Sequence, residues 1–311
     1  MISPILAIAR NAFIESVRQP VFFLMLMVAG LLQILNTWIS GFTMGRMNVP
    51  GEVTADNKMM FDISLATVFV SGIILAAFIA TATVSREIEN KTILTVVSKP
   101  VNRYSVILGK YLGVACAMLV AGGIMIAFLL LGIRHGVLAT AAQHLDTPVL
   151  IFGTGAIALA ILIAGAGNFM YEWSFGQTVS LLLLPFIWIA YLGVLLINKD
   201  WELQSIATDF KPQITIACGV LMMALLVMSA VATAASTRLG QVMTIVVCGV
   251  VFVAGLLSNY MIGRHVFIND RFAQVSIVFS PLETDIYEFR PDEIRTIAAK
   301  RAGVSEEEFD E

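Results

Sequence analysis

The side chains that most often perform chemistry are few in this sequence, and their spacing forms no catalytic motif. The three histidines, His135, His144 and His265, lie far apart, and neither H-E-x-x-H nor G-x-S-x-G is present. The one Gly-Lys pair, Gly109-Lys110, is followed by Tyr111, whereas a phosphate-binding loop requires G-x-x-x-x-G-K-[ST]. We therefore expect no catalytic residue, no metal site and no cofactor on this chain.

The densest group of charged side chains lies between two long apolar segments, at residues 84–104. Apolar residues and charges of both signs alternate there, and Pro100 ends the short helix that this pattern predicts. A soluble partner could bind such a helix and move the two apolar segments on either side of it. Alternatively, its positive charges only anchor the chain at the inner membrane surface. The residues alone leave both interpretations open.

Long apolar segments account for most of the chain, which is 58% hydrophobic and 13% charged, about half the charge of a soluble domain. Seven segments reach the length of about 20 residues that a membrane span needs. They are residues 21–40, 63–83, 105–133, 149–168, 178–198, 214–236 and 242–262. The sequence predicts an all-α fold, a polytopic transmembrane helical bundle of about six to eight spans over residues 21–262.

The two ends of the chain differ from this apolar region. Residues 1–20 alternate apolar and charged residues at helical spacing up to Pro20, which predicts an interfacial amphipathic helix, or else an ordinary cytoplasmic start. The distribution of Lys and Arg in the short loops places the N-terminus in the cytoplasm. Residues 263–311 form an acidic polar tail. Seven spans would place this tail outside, unless one segment is not a span or a last helix is missing.

The third predicted span has small residues four apart, at Gly109, Gly113, Ala117 and Ala121. Small residues let helices approach closely in lipid, where burial of apolar surface does not drive helix association. The spacing predicts a packing face, either within the bundle or between two subunits.

The charged loop resembles a known family. E-I-E-N-K-T at residues 87–92, S-K-P-V-N-R at 98–103 and G-K-Y-L-G at 109–113 are similar to the matching loop in permease subunits of type-2 ABC exporters. The pattern A-R-N-A-F-x-E-x-x-R at residues 9–18 resembles their N-terminal helix, and Ser236-Thr-Arg-Leu-Gly240 resembles a later part. The resemblance is specific over about residues 1–115 and looser beyond. The family usually has six spans and a cytoplasmic C-terminus, and the seven segments here depart from that.

The resemblance implies a membrane-spanning permease subunit in the inner or plasma membrane of a prokaryote. It also implies that the subunit exports its substrate and works with a separate ABC ATPase subunit, which binds the ATP. It also implies a homodimer or heterodimer of permease subunits. The residues that the resemblance places at the ATPase contact are Glu87, Glu89, Lys91, Thr92, Lys99, Pro100 and Arg103.

Two other functions stay open at this stage. An ion-coupled secondary transporter usually needs ionisable residues inside the membrane, and the spans offer mainly neutral candidates such as Asn36 and Asn168. A non-transporting scaffold that recruits a soluble protein through residues 84–104 would have the same sequence features. The net charge of −3 and the absence of a basic, aromatic-rich stretch argue against a nucleic-acid partner.

Overall fold

The computed structural model describes residues 2–40, 52–85, 103–137, 146–199 and 201–258. The helices in these ranges are α1 Ile2–Arg18, α2 Pro20–Ile39, α3 Glu52–Ala80, α4 Arg103–His135, α5 Thr147–Tyr171, α6 Phe175–Leu196, α7 Ile206–Asp209, α8 Pro212–Ser236 and α9 Gln241–Ser258. A π-helical turn, Thr81–Ser85, extends α3. The described residues contain no strand longer than the single bridge between Ile197 and Leu203.

Seven of the described helices, α2 to α6, α8 and α9, are long and apolar enough to cross a membrane by length and composition. Each overlaps one of the segments predicted from the sequence, and the prediction of an all-α polytopic membrane bundle is confirmed. Several ends differ. The second predicted span began at residue 63, whereas α3 begins at Glu52. The fifth ran to residue 198, whereas α6 ends at Leu196 because Ile197 is extended and pairs with Leu203.

Helix boundaries follow from local chemistry. Pro20 begins α2, a position at which its missing N–H costs no hydrogen bond. Asp146 caps α5, and its Oδ1 accepts a hydrogen bond from the Val149 N–H at 3.4 Å. Glu172 ends α5 in the left-handed conformation, with φ of 56°.

Helix α4 is the centre of the described bundle. It contacts α1, α2, α3, α5, α6 and α8. Of the 32 residues Tyr104–His135, 17 are buried, compared with 6 of the 25 residues Thr147–Tyr171 in α5. The outer helices expose large apolar side chains, such as Leu162 and Val220. Since water does not favour so much exposed apolar surface, this outer face suits lipid.

Many buried hydroxyl groups of the bundle donate to carbonyl groups of their own helices. Ser16 donates to the Ala12 carbonyl at 2.6 Å, and Thr233 donates to the Ser229 carbonyl at 2.7 Å. This bonding to the preceding turn removes the cost of an unpaired polar group in an apolar environment. Contacts divide the chain between Val250 and Val251 into two units, and the second is described only for the end of α9.

Candidate functional site

Two polar clusters lie at opposite ends of α4. Lys110 is near its start and Arg134 near its end, and 24 residues of α-helix separate them by about 36 Å. We call the two ends of the bundle the Lys110 end and the Arg134 end. The charged segment between α3 and α4 joins the bundle at the Lys110 end.

At the Lys110 end, a buried lysine joins α4 to the last turn of α3. The Lys110 Nζ donates a hydrogen bond of 2.9 Å to the Thr83 carbonyl oxygen, and Lys110 is only 9% exposed. Thr83 lies in the π-helical turn, where backbone hydrogen bonds join residues five apart and not four. The carbonyl groups there have different partners from those in an α-helix. A cation at the C-terminal end of a helix also interacts favourably with the helix dipole. Lys110 therefore fixes the end of α3 to the beginning of α4.

Helix α1 packs on the same part of α4. A Cβ atom on Gly113 would lie 2.5 Å from the Ala12 Cβ and 2.6 Å from the Ala9 carbonyl oxygen, and one on Gly109 would lie 2.9 Å from the Ile8 Cβ. These distances are shorter than any normal van der Waals contact, so only glycine fits at this crossing. Gly109 and Gly113 belong to the predicted packing face, and the helix that approaches them closely is α1.

The other two residues of that face, Ala117 and Ala121, are fully buried further along α4. The same helix uses glycine against α8, where a Cβ on Gly122 would lie 2.6 Å from the Met222 Cε. Small residues of α4 thus face more than one neighbouring helix, as expected for the central helix of a membrane bundle.

Most residues that the resemblance placed at the ATPase contact lie outside the described residues. These are Glu87, Glu89, Lys91, Thr92, Lys99 and Pro100. Arg103 is the first residue of α4. The acidic tail, residues 263–311, is outside the described residues too. The structure does describe both sides of the charged segment, the π-helical turn before it and the start of α4 after it.

At the Arg134 end, a buried arginine binds two aspartates. The Arg134 Nη1 donates to the Asp146 Oδ2 at 2.7 Å, and the side chain of Asp146 is fully buried. The Arg134 Nε lies 3.0 Å from the Asp209 Oδ2, but its N–H is not aligned for a hydrogen bond. Gln204 also donates to Asp209. The ion pairs join the end of α4, the start of α5 and the segment between α6 and α8.

Sequence reasoning missed this cluster. None of its residues was among the candidates predicted from the sequence. A signal was present, because Arg134 closes one apolar segment and Asp146 opens the next. In a helical hairpin, the end of the first helix and the start of the second lie at the same membrane face. Arg134 and Asp146 occupy these two positions, so they had to lie near each other. Asp209 offers no such signal, since it ends the short helix α7, more than 60 residues from Asp146.

Among the described residues, no group of three or more His, Cys, Asp or Glu side chains is arranged to hold a metal ion. Three charged side chains of the described residues, Lys110, Arg134 and Asp146, are buried, and all three form bonds that join helices. The geometry of the two clusters therefore fits mechanical connection between helices.

No curated protein and no solved structure matches the chain. Residues 58–243 match the sequence profile of a family described as ABC-2 family transporter protein. The match covers more than half of the chain and runs from α3 into α9, so it includes the charged segment, both polar clusters and the helices that join them. It confirms the resemblance drawn from the motifs. The chain belongs to the ABC-2 transporter family as a multi-pass membrane protein, a permease by family.

Proposed function

We propose that this protein is the membrane-spanning permease subunit of an ATP-driven exporter, and that residues 84–104 bind a separate ATPase subunit in the cytoplasm. The observation that carries the proposal is the connection at the Lys110 end. Residues 86–102 are bounded on one side by the π-helical turn and on the other by α4, and Lys110 joins these two elements by its bond to Thr83.

A displacement of the charged segment would act on three helices together. The end of α3 is tied to α4 by Lys110, and α1 is packed on α4 at Gly109 and Gly113 too closely to slide freely. Packed helices change between discrete arrangements and do not deform continuously. Closure of an ATPase dimer on the charged segment would therefore move α1, the end of α3 and the start of α4 as one body.

The central position of α4 extends this motion to the other face. The helix runs about 36 Å from Lys110 to Arg134, which is longer than the hydrocarbon core of a bilayer, about 30 Å. At its far end the ion pairs to Asp146 and Asp209 link it to α5 and to the segment before α8. Tilting of α4 in one direction would open the pathway inward and tilting in the other would open it outward.

We further propose a dimer of permease subunits, formed by two copies of this chain or by this chain and a relative. The transport pathway lies between the two subunits, and two ATPase subunits bind on the cytoplasmic side. The N-terminus and the charged segment lie in the cytoplasm of a prokaryotic cell, at the inner or plasma membrane. The substrate moves outward. The apolar character of the spans suits a substrate that is not strongly charged.

Charge reversal at the predicted contact tests the proposal. The full-length protein, tagged and gently solubilised, should retain an ATP-hydrolysing subunit with a phosphate-binding loop in stoichiometric amount. Glu87→Lys combined with Glu89→Lys should release that subunit and leave membrane insertion intact. Glu202→Lys is the control, because Glu202 is an exposed glutamate at the Arg134 end.

Two results would overturn the proposal. One is a complex and a transport rate that both survive the double charge reversal. The other is purified protein that drives proton- or sodium-dependent uptake in vesicles without an ATPase, which would establish the secondary carrier instead. Specific binding of a soluble protein without any transport would identify a scaffold.

A further inference from the structure

A cleft with a cavity of about 230 Å³ lies at the Arg134 end, between α6 and α8. Both helices pack on α4 but scarcely on each other, so α4 forms the floor of this α6–α8 cleft. The cleft borders lipid. Leu196 and Ile216, one and two positions from residues that line it, are 43% and 67% exposed on the apolar outer face. A membrane lipid could therefore enter the cleft sideways.

The cleft has a charged mouth and a largely apolar interior. Each of three charged residues that line it is three or four positions, about one helical turn, from an apolar lining residue closer to the middle of the bundle. The pairs are Arg134 and Leu130, Lys199 and Leu195, and Lys211 and Ile214.

The positive charge of the mouth resides on two lysines. Lys199 and Lys211 are exposed and form no ion pair with a described residue. Arg134 is already bound by Asp146 and Asp209, so these three cations and two carboxylates leave a formal charge of +1. Helix α8 begins directly after Lys211 without a side-chain cap, and its dipole adds to the positive potential. The mouth therefore favours an anion.

The interior contains a buried hydroxyl group without a partner. Tyr191 of α6 lines the cleft, is 7% exposed, and forms no hydrogen bond with a described residue. Its hydroxyl is close enough to Asp209, which also lines the cleft, to interact with that charge. Among the described side chains, the unpartnered buried atoms without accessible surface are the Gln33 Oε1 and the Arg134 Nε. The Tyr191 hydroxyl therefore keeps surface that a molecule in the cleft can reach.

The mouth lies at the level of the lipid head groups. Helix α4 runs about 36 Å from Lys110 to Arg134, whereas the hydrocarbon core of a bilayer is about 30 Å thick. At the same end, the half-exposed Trp201 donates a hydrogen bond of 3.1 Å from its indole N–H to the Thr147 hydroxyl at the start of α5. Exposed Trp side chains favour the head-group region. Lipid phosphates therefore lie at the depth of the two lysines.

From the cationic mouth, the accessible hydroxyl and the apolar interior, we propose that the α6–α8 cleft binds an anionic phospholipid of the surrounding leaflet. Its phosphate lies between Lys199 and Lys211. An ester carbonyl oxygen accepts a hydrogen bond from the Tyr191 hydroxyl, and the acyl chains pass Leu195 and Ile214 into the membrane. A phospholipid carries its phosphate, esters and chains in the order that this cleft requires. The site needs no ATPase subunit, so it stands independently of the proposed transport cycle.

Photolabelling of the full-length protein in liposomes tests this site. The probe is phosphatidylglycerol with a diazirine on an acyl carbon close to the ester, diluted in phosphatidylcholine, whose head group has no net charge. Mass spectrometry locates the adducts, which should concentrate in the peptides of α6 and α8 that line the cleft. Diacylglycerol with the same diazirine lacks the phosphate. It should label these peptides about tenfold less, the contribution of one charged hydrogen bond.

Three lysines provide matched variants. Lys199→Gln and Lys211→Gln should each reduce labelling by phosphatidylglycerol about tenfold and leave labelling by diacylglycerol unchanged. Lys58→Gln is the control. Lys58 is an exposed lysine near the start of α3, at the same end of the bundle, and does not line the cleft. Its replacement should leave labelling by both probes unchanged.

Tyr191→Phe tests the hydroxyl separately from the charge. It should reduce labelling by phosphatidylglycerol about fivefold, the contribution of one neutral hydrogen bond. Tyr104→Phe is its control, because Tyr104 is 81% exposed at the Lys110 end, and it should label as the unmodified protein does.

Inorganic phosphate distinguishes a lipid head group from a free anion. An excess of phosphate in the buffer should leave labelling by phosphatidylglycerol unchanged, because only the lipid also fills the interior. Loss of the labelling in phosphate would assign the mouth to a free anion and overturn the proposal. Equal labelling by the two probes, equal effects of the three lysine variants, or unchanged labelling of Tyr191→Phe would overturn it too.

Discussion

The crossing of α1 and α4 gives the most direct prediction about stability. In Gly113→Ala, the new Cβ would lie 2.5 Å from the Ala12 Cβ, whereas carbon atoms pack at about 3.5–4.0 Å. The neighbouring atoms include the Ala9 carbonyl oxygen and the Phe13 amide nitrogen, which belong to backbone and cannot rotate away. Helix α1 must therefore move outward by about 1 Å at this point.

The expected cost is about 1–3 kcal/mol, the usual cost of one extra methyl group in a tightly packed core. Alanine also favours the helix over glycine by about 1 kcal/mol, and this gain must be subtracted. Gly132→Ala is the matched control, because it lies in the same helix and its Cβ would be at an ordinary 3.4 Å from the Thr37 Cγ2. The control should be neutral or slightly more stable than the unmodified protein.

Thermal unfolding of the purified variants in detergent measures the difference, and hydrogen exchange of the α1 amides locates it. Gly113→Ala should lower the unfolding temperature and accelerate exchange in α1, with coupled transport reduced as well. Equal unfolding temperatures for Gly113→Ala and Gly132→Ala, or unchanged exchange in α1, would refute the close packing of α1 on α4.

Two further predictions concern the polar clusters. Lys110→Met should leave the protein folded but reduce ATP-dependent transport more than it reduces ATPase binding, because it removes the bond to the Thr83 carbonyl. Lys110→Arg should retain more transport than Lys110→Met. Equal effects of Lys110→Met on binding and on transport would contradict the role of Lys110 in joining α3 to α4. Asp146→Asn should destabilise the protein by about 2–3 kcal/mol in denaturant unfolding, since it leaves the buried Arg134 with one carboxylate partner and weakens the α5 cap. Asp209→Asn should lower the free energy of unfolding by only about 1 kcal/mol, because the Asp209 side chain is 28% exposed. Equal losses at Asp146 and Asp209 would show that burial does not determine the strength of these ion pairs.

The helices could be predicted from the sequence because the membrane imposes a simple requirement. An apolar run without charges has few alternatives to a spanning helix. The break at Pro20 was therefore readable, and the fourth span was predicted from residue 149, two residues after α5 begins at Thr147. Small residues four apart lie on one side of a helix, and this spacing is why a packing face at Gly109 and Gly113 could be proposed from the sequence.

The partners of these residues could not be predicted, because periodicity describes one helix at a time. Nothing in the spacing indicates that α1 covers Gly113 or that Lys110 reaches the Thr83 carbonyl, 27 positions away in sequence. The accessible hydroxyl of Tyr191 is equally invisible in the sequence, since it depends on which residues of the neighbouring helices line the same cleft.

The central claim is that residues 84–104 contact an ATPase subunit, and site-specific photocrosslinking in native membranes tests it most directly. A photoreactive amino acid at Thr92 should crosslink to a protein that has a phosphate-binding loop and hydrolyses ATP. The same amino acid at Lys199, which is exposed at the Arg134 end, should not crosslink to that protein. A crosslink from Lys199, or none from Thr92 when the complex is intact, would contradict the account.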